Sequence, residues 1–86
     1  MAESVERRLC QLIDRMNEGR SLPPAKPESR LFDEGYIDSM GLFELLSKAE
    51  ETFHITLEDR DLSKDHFTTV AALSRLLETK LANQVA

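Results

Sequence analysis

All three prolines of the chain fall inside one ten-residue stretch, SLPPAKPESR, from Ser21 to Arg30. Proline fixes φ and removes a backbone donor, and this stretch carries no apolar periodicity, so it reads as a stiffened loop. The segments on either side are proline-free and carry helical spacing. Upstream, Val5, Leu9, Leu12, Ile13 and Met16 recur at i, i+4, i+7, i+8 and i+11. They form one stripe of an amphipathic helix over roughly Glu3 to Asn17, with Gly19 placed to end it. Cys10 lies about 100° round from Leu9, at the margin of that stripe. There it reads as a small packed residue rather than a reactive thiol.

Downstream of the loop, LFDEGYID carries Leu31, Phe32, Tyr36 and Ile37, apolar surface expected to pin the end of the loop against the core. From Ser39 the pattern is helical to Thr52 or Phe53, with Asp38 as N-cap. HITLEDRDLSKDHF then spaces Ile55, Leu57, Leu62 and Phe67 irregularly, which predicts a turn and one short helix near Asp59 to Ser63. A last helix starts at about Thr69, capped by Thr68 or Thr69. It buries Val70, Leu73, Leu77 and Leu81 and frays after Leu81. No alternating period-2 run occurs, so the expected fold is all-α: three main helices, one short helix and a long first loop. At 86 residues the chain suits a single domain, residues 1–86, that buries roughly 60 to 65% of its unfolded surface.

On a helical wheel, Leu42, Leu45, Leu46, Ala49 and Phe53 of the second helix share a core-facing side. Met40, Glu44, Ser47 and Glu51 lie opposite, with Lys48 and Glu50 at the flanks. Met40 is thus an apolar residue among carboxylates on the solvent side, beside Ser39. An adaptable apolar anchor with an acidic rim suits the docking of a basic partner.

The formal charge is -5, from 16 acids against 11 bases, and no basic stripe exists, which argues against a nucleic-acid binder. The N-terminus MAESVERRLCQL lacks the apolar run of a secretory signal, and no stretch approaches the ~20 apolar residues of a membrane span. A single cysteine forms neither an internal disulfide nor a cysteine-based metal site, and a cytoplasmic location is expected.

Three chemistries compete for Ser39. A hydrolase nucleophile sits in G-x-S-x-G, whereas Ser39 lies in Ile-Asp-Ser-Met-Gly, and an 86-residue helical chain offers little room to enclose a triad. Two histidines without ligand spacing make a poor metal site. DEGYID resembles half an EF-hand loop, but setting Gly35 at the sixth position places Arg30, Phe32 and Gly41 where oxygen ligands belong, so the register fails. The third chemistry is passive attachment. A serine at a helix N-terminus presents its hydroxyl outward, where the local N–H groups and the helix dipole tolerate a phosphodiester. Asp38 adds an acid that a modifying enzyme can use.

D-S-M at Asp38 to Met40, the apolar-rich helix ending at Phe53, then F-x-I-x-L, then F-T-T-V at Phe67 to Val70, together resemble the acyl and peptidyl (aminoacyl) carrier proteins over about Val5 to Leu81. The resemblance implies a four-helix bundle that catalyses nothing. It implies that a phosphopantetheinyl transferase attaches 4′-phosphopantetheine from coenzyme A to Ser39, next to Asp38, and that the arm's thiol holds cargo as a thioester. It also implies a partner-recognition helix after Ser39, with Met40, Phe43, Glu44, Ser47 and Glu51 as contact residues. Fatty-acid carriers typically have leucine after the serine and an acid next, where this chain has Met40 and Gly41. I-D-S-M-G is more similar to free-standing carriers for amino acids or specialised acyl groups. Those are loaded by a separate adenylate-forming ligase and unloaded by a transferase or synthase. A fatty-acid carrier and an unmodified helical adaptor remain the competing readings.

Overall fold

The structure, a computed structural model, describes residues 4–84. Three α-helices carry the fold: α1 over Val5–Met16, α2 over Ser39–Phe53 and α3 over Val70–Gln84. Two 3₁₀ turns, Asp59–Asp61 and Lys64–Phe67, lie between α2 and α3, and no strand forms among the described residues. The expected bundle of long helices is therefore present, while the one short helix expected before α3 is two separate 3₁₀ turns. The predicted helix start at Glu3 lies outside the described residues. Within them, α1 is capped by Ser4, whose hydroxyl accepts the Arg7 N–H at 3.1 Å.

α1 packs against both α2 and α3. Leu9 and Ile13 from α1, Leu45 and Ala49 from α2, and Val70, Leu73 and Leu77 from α3 are fully buried, joined by Leu31 from the loop. Each large aliphatic side chain in that set contributes about 1.5 to 3 kcal/mol by leaving water. Arg8 ties α1 to the far end of α2: its guanidinium lies 4.7 Å from the Phe53 ring centroid and donates to the Thr52 carbonyl at 3.5 Å. Cys10 is half-buried, and its thiol is pushed above its ordinary pKa, first by burial and then by the carboxylates of Asp14, Glu6 and Glu28.

The proline loop is fastened by its own backbone. Val70 N–H donates to the Ser29 carbonyl at 3.1 Å and Ala71 N–H to the Pro27 carbonyl at 2.8 Å. The loop thereby satisfies N–H groups that the first turn of α3 would otherwise leave orphaned. Thr69 completes this cap, its hydroxyl accepting the Ala72 N–H at 3.1 Å. On its other side the loop is held by Asp14, which accepts the Ala25 N–H at 2.8 Å, and by Tyr36, whose hydroxyl donates to the Pro23 carbonyl at 2.8 Å.

Several expectations from the sequence need correction. Phe32 does not pin the loop: Leu31, Tyr36 and Ile37 are buried, but Phe32 stands 42% exposed. Leu42 is only partly buried. Glu50, placed on the solvent flank of α2, is half-buried, because its carboxylate accepts the Leu57 N–H at 2.8 Å and holds the chain leaving the helix. Leu81 is only partly buried, and α3 runs on to Gln84 instead of fraying there. Lys80 braces this last part of the helix, donating to Asp61 at 2.6 Å across a nearly buried ion pair.

Candidate functional site

The site is the start of α2 and the backbone leading into it. Asp38 has extended backbone, and its carboxylate accepts the Gly41 N–H at 2.7 Å while its carbonyl accepts the Leu42 N–H at 2.8 Å. Asp38 is therefore the N-cap and Ser39 the first helical residue. An exposed hydroxyl results, one that has no hydrogen-bond partner among the described residues. Gly41 suits this cap, since a Cβ there would lie only 3.1 Å from the Asp38 carboxylate oxygen.

The lead-in is held by a side chain that sequence reasoning missed. Asn17, the C-cap of α1, is buried, and its Nδ2 donates to the carbonyls of Ile13 at 3.0 Å and Tyr36 at 3.1 Å. Its Oδ1 accepts from Arg20 at 2.6 Å, and Arg20 donates also to the Gly35 carbonyl at 3.2 Å. Gly35 turns the chain with φ +81°, a backbone geometry favoured by glycine, and Ile37 N–H then closes on the Leu31 carbonyl at 3.0 Å. The helix end at Asn17 was legible. That its amide stitches α1 to the approach of Ser39 was not.

Ser39 opens onto a groove of about 950 Å³. Leu42, Phe43 and Leu46 of α2 form one wall and Phe32, Leu62 and Phe67 the other, so the two misplaced residues Phe32 and Leu42 meet here. Arg30 and Lys64 are the basic residues on its lining. On the outward side of α2, Met40 is 83% and Phe43 65% exposed, and Glu44, Ser47 and Glu51 are exposed beside them. The wheel had assigned Met40, Glu44, Ser47 and Glu51 to this face. A second cleft, lined by Leu12 and Met16 with Arg15, Glu44, Lys48 and Glu51, carries the same face on to α1.

Chemically, the arrangement offers a hydroxyl on rigid backbone with an acid beside it and open space around it. His54, in left-handed backbone at the C-cap of α2, is a full helix length from Ser39, about 22 Å at 1.5 Å per residue. The start of α2 thus offers an exposed hydroxyl with His54 far from it. An exposed, uncommitted hydroxyl at a helix N-terminus, with cations on the adjoining groove, fits a covalently attached phosphodiester.

The sequence profile described as the phosphopantetheine attachment site matches residues 7–77. Among characterised proteins, the chain is 37% identical over 57 residues to "Aminoacyl carrier protein 2" of Bradyrhizobium diazoefficiens, covering 66% of this chain and 63% of that protein, less than two thirds of its length. It is 34% identical over 61 residues to an "Acyl carrier protein" of Desulforapulum autotrophicum, covering 71% of this chain and 79% of that one. Among solved structures, a similar fold occurs in the Bradyrhizobium japonicum glycine:[carrier protein] ligase complexed with glycylated carrier protein. The TM-score is 0.76 at 21% identity, over 84% of this chain and 96% of the matched chain. The chain thus belongs to the phosphopantetheine-attachment family of carrier proteins, and its cofactor is 4′-phosphopantetheine.

Proposed function

We propose that residues 1–86 form a single carrier domain, working in the cytoplasm, with Ser39 as the attachment point of its arm. The observation that carries this reading is the serine hydroxyl left exposed and unpartnered because Asp38 has taken the cap. A phosphopantetheinyl transferase modifies it. Ser39 Oγ–H gives up its proton, a P–O bond forms at Oγ, the P–O–P bridge of coenzyme A opens and the adenosine bisphosphate portion leaves. The attached group supplies a thiol that holds cargo as a thioester. This chain's residues do the rest: Asp38 and Asn17 keep Ser39 on rigid backbone, and the acid next to the serine is available to the transferase.

The cargo is an amino acid or a specialised acyl group, loaded by a separate adenylate-forming ligase and collected by a downstream transferase or synthase. The name of the Bradyrhizobium relative and the glycylated state of the structural neighbour support this choice. Fatty-acid synthesis is the second reading, favoured by the Desulforapulum relative. Partners read the outward side of α2 through Met40, Phe43, Glu44, Ser47 and Glu51, all exposed.

Intact-mass measurement after incubation with coenzyme A and a broad-specificity transferase tests the assignment. The expected result is a gain of one phosphopantetheine that Ser39→Ala abolishes. A gain that survives Ser39→Ala refutes Ser39 as the attachment point, and no gain in the parent refutes the carrier reading and leaves the unmodified adaptor, for which Ser39→Ala keeps function while Met40 and Glu44 substitutions abolish it. Competition between amino acids and fatty acids for the arm's free thiol, each with its own purified ligase, then separates the two cargo readings.

A further inference from the structure

Attachment at Ser39 sets an electrostatic problem that the site's own geometry does not solve. A phosphodiester adds a negative charge to a chain that already stands at -5, next to Asp38 and close to Asp33 on the groove lining. The helix offers less help than a bare N-terminus would, because the Asp38 carboxylate already takes the Gly41 N–H. Two basic residues share the groove with Ser39: Arg30 on the loop side and Lys64 at the start of the second 3₁₀ turn.

Both have exposed side chains. Arg30 is held through its main chain, its N–H donating to Glu34 at 2.6 Å and its residue bridged to Thr69. Among the described residues its guanidinium meets only Asp33, at 3.4 Å, in a pair 68% and 72% exposed, an interaction weak enough to be exchanged. Lys64 is anchored by Phe67, buried three residues later, and has no carboxylate within 4 Å among the described residues. Lys64 is therefore uncommitted among the described residues and lines the same groove as the Ser39 hydroxyl.

On the reading that Ser39 bears the arm, we propose that Lys64 and Arg30 are positioning residues for its phosphodiester, drawing the first segment of the arm along the groove rather than out into solvent. The acids Glu44 and Glu51, on the outward side of α2, are left clear for partners.

The test compares apo and modified protein, parent against Lys64→Gln/Arg30→Gln and against Lys64→Arg, with intact mass reporting modification at Ser39. Melting temperature is measured for each state at low and high salt, and backbone amide shifts of residues 62–69 are recorded by NMR. The apo forms should melt alike, since both side chains are exposed. The modified-minus-apo difference should fall by about 2 to 6 °C in the double variant, and Lys64→Arg should restore most of its Lys64 share. The contrast should collapse in about 1 M salt, where the Debye length is ~3 Å. Modification should shift the amide of Lys64 in the parent and not in the double variant. A mass gain at Ser39 with the same melting difference and the same amide shifts in parent and double variant overturns this inference alone. A parent that gains no mass at Ser39 overturns it together with the reading it rests on.

Discussion

Replacing Asn17 by alanine should be among the more damaging single changes to this small fold, although Asn17 touches neither Ser39 nor the groove's apolar walls. The substitution removes the Nδ2 bonds to the Ile13 and Tyr36 carbonyls and the Oδ1 acceptor for Arg20. Ile13 keeps the Asn17 backbone N–H at 3.2 Å, so its carbonyl is not orphaned. The carbonyl of buried Tyr36 has no such reserve among the described residues. With the Ile13 carbonyl still bonded, a net ~1 kcal/mol for the lost Arg20 bond and about 1 to 3 kcal/mol for the unsatisfied buried Tyr36 carbonyl sum to about 2 to 4 kcal/mol. For a domain of this size that lowers the melting temperature by about 10 to 25 °C. Circular dichroism melts measure it directly. Asn17→Asp discriminates further: it keeps an acceptor for Arg20 but turns a carboxylate oxygen toward two carbonyls, so it should be no more stable than Asn17→Ala. Hydrogen exchange adds a local readout, with protection at Gly41 and Leu42 falling as the lead-in loosens. An Asn17→Ala protein that melts within about 3 °C of the parent would refute the reasoning, because a domain this size cannot hide the loss of ~2 kcal/mol.

Asp38→Ala should cost about 1 kcal/mol as a lost N-cap, lowering the melting temperature by about 4 to 8 °C, whereas Asp38→Asn should melt close to the parent. If Asp38→Asn keeps stability and still slows modification by the transferase, the carboxylate acts in that reaction beyond its capping; equal modification rates refute a chemical role. The Asp61 carboxyl is held below the usual carboxylate value mainly by its bond from Lys80. The stability it contributes is therefore complete above the unfolded value, about pH 4, and is lost as pH falls through the lower folded value. Lys80→Met should melt lower than the parent at neutral pH and show a shallower fall in stability below pH 4, and parallel acid limbs in urea titrations contradict the assignment. Met40→Ala and Glu44→Lys should leave melting unchanged and slow cargo loading by the ligase, which steady-state loading kinetics will measure; unaltered kinetics remove them from the partner face.

What could be read in advance was local. Asp38 as cap and Ser39 as first helical residue follow from capping chemistry three residues long, and the outward side of α2 follows from a 100° rotation per residue. What could not be read depends on main-chain groups that every residue shares. Nothing in SLPPAKPESR signals that the carbonyls of Pro27 and Ser29 cap α3, or that the loop's return leaves Phe32 outside while Leu31 goes in. Glu50 misled for the same reason: the wheel assigned it by angle, but a single unsatisfied N–H at Leu57 turned it inward. The groove beside Ser39 was invisible because it is made from residues such as Leu42 and Phe32 whose apolar character argues for burial wherever they occur.

Cys10 has a practical consequence for following such a carrier at work. Its thiol is half-buried and held above its ordinary pKa, so at neutral pH it offers little thiolate to an electrophile. A thiol on a solvent-accessible arm has no such restraint. In the folded, modified protein a mild alkylating reagent should therefore label one position and leave the other blank. Label uptake then counts unloaded arms while cargo blocks the signal, with no need to remove the cysteine by mutation.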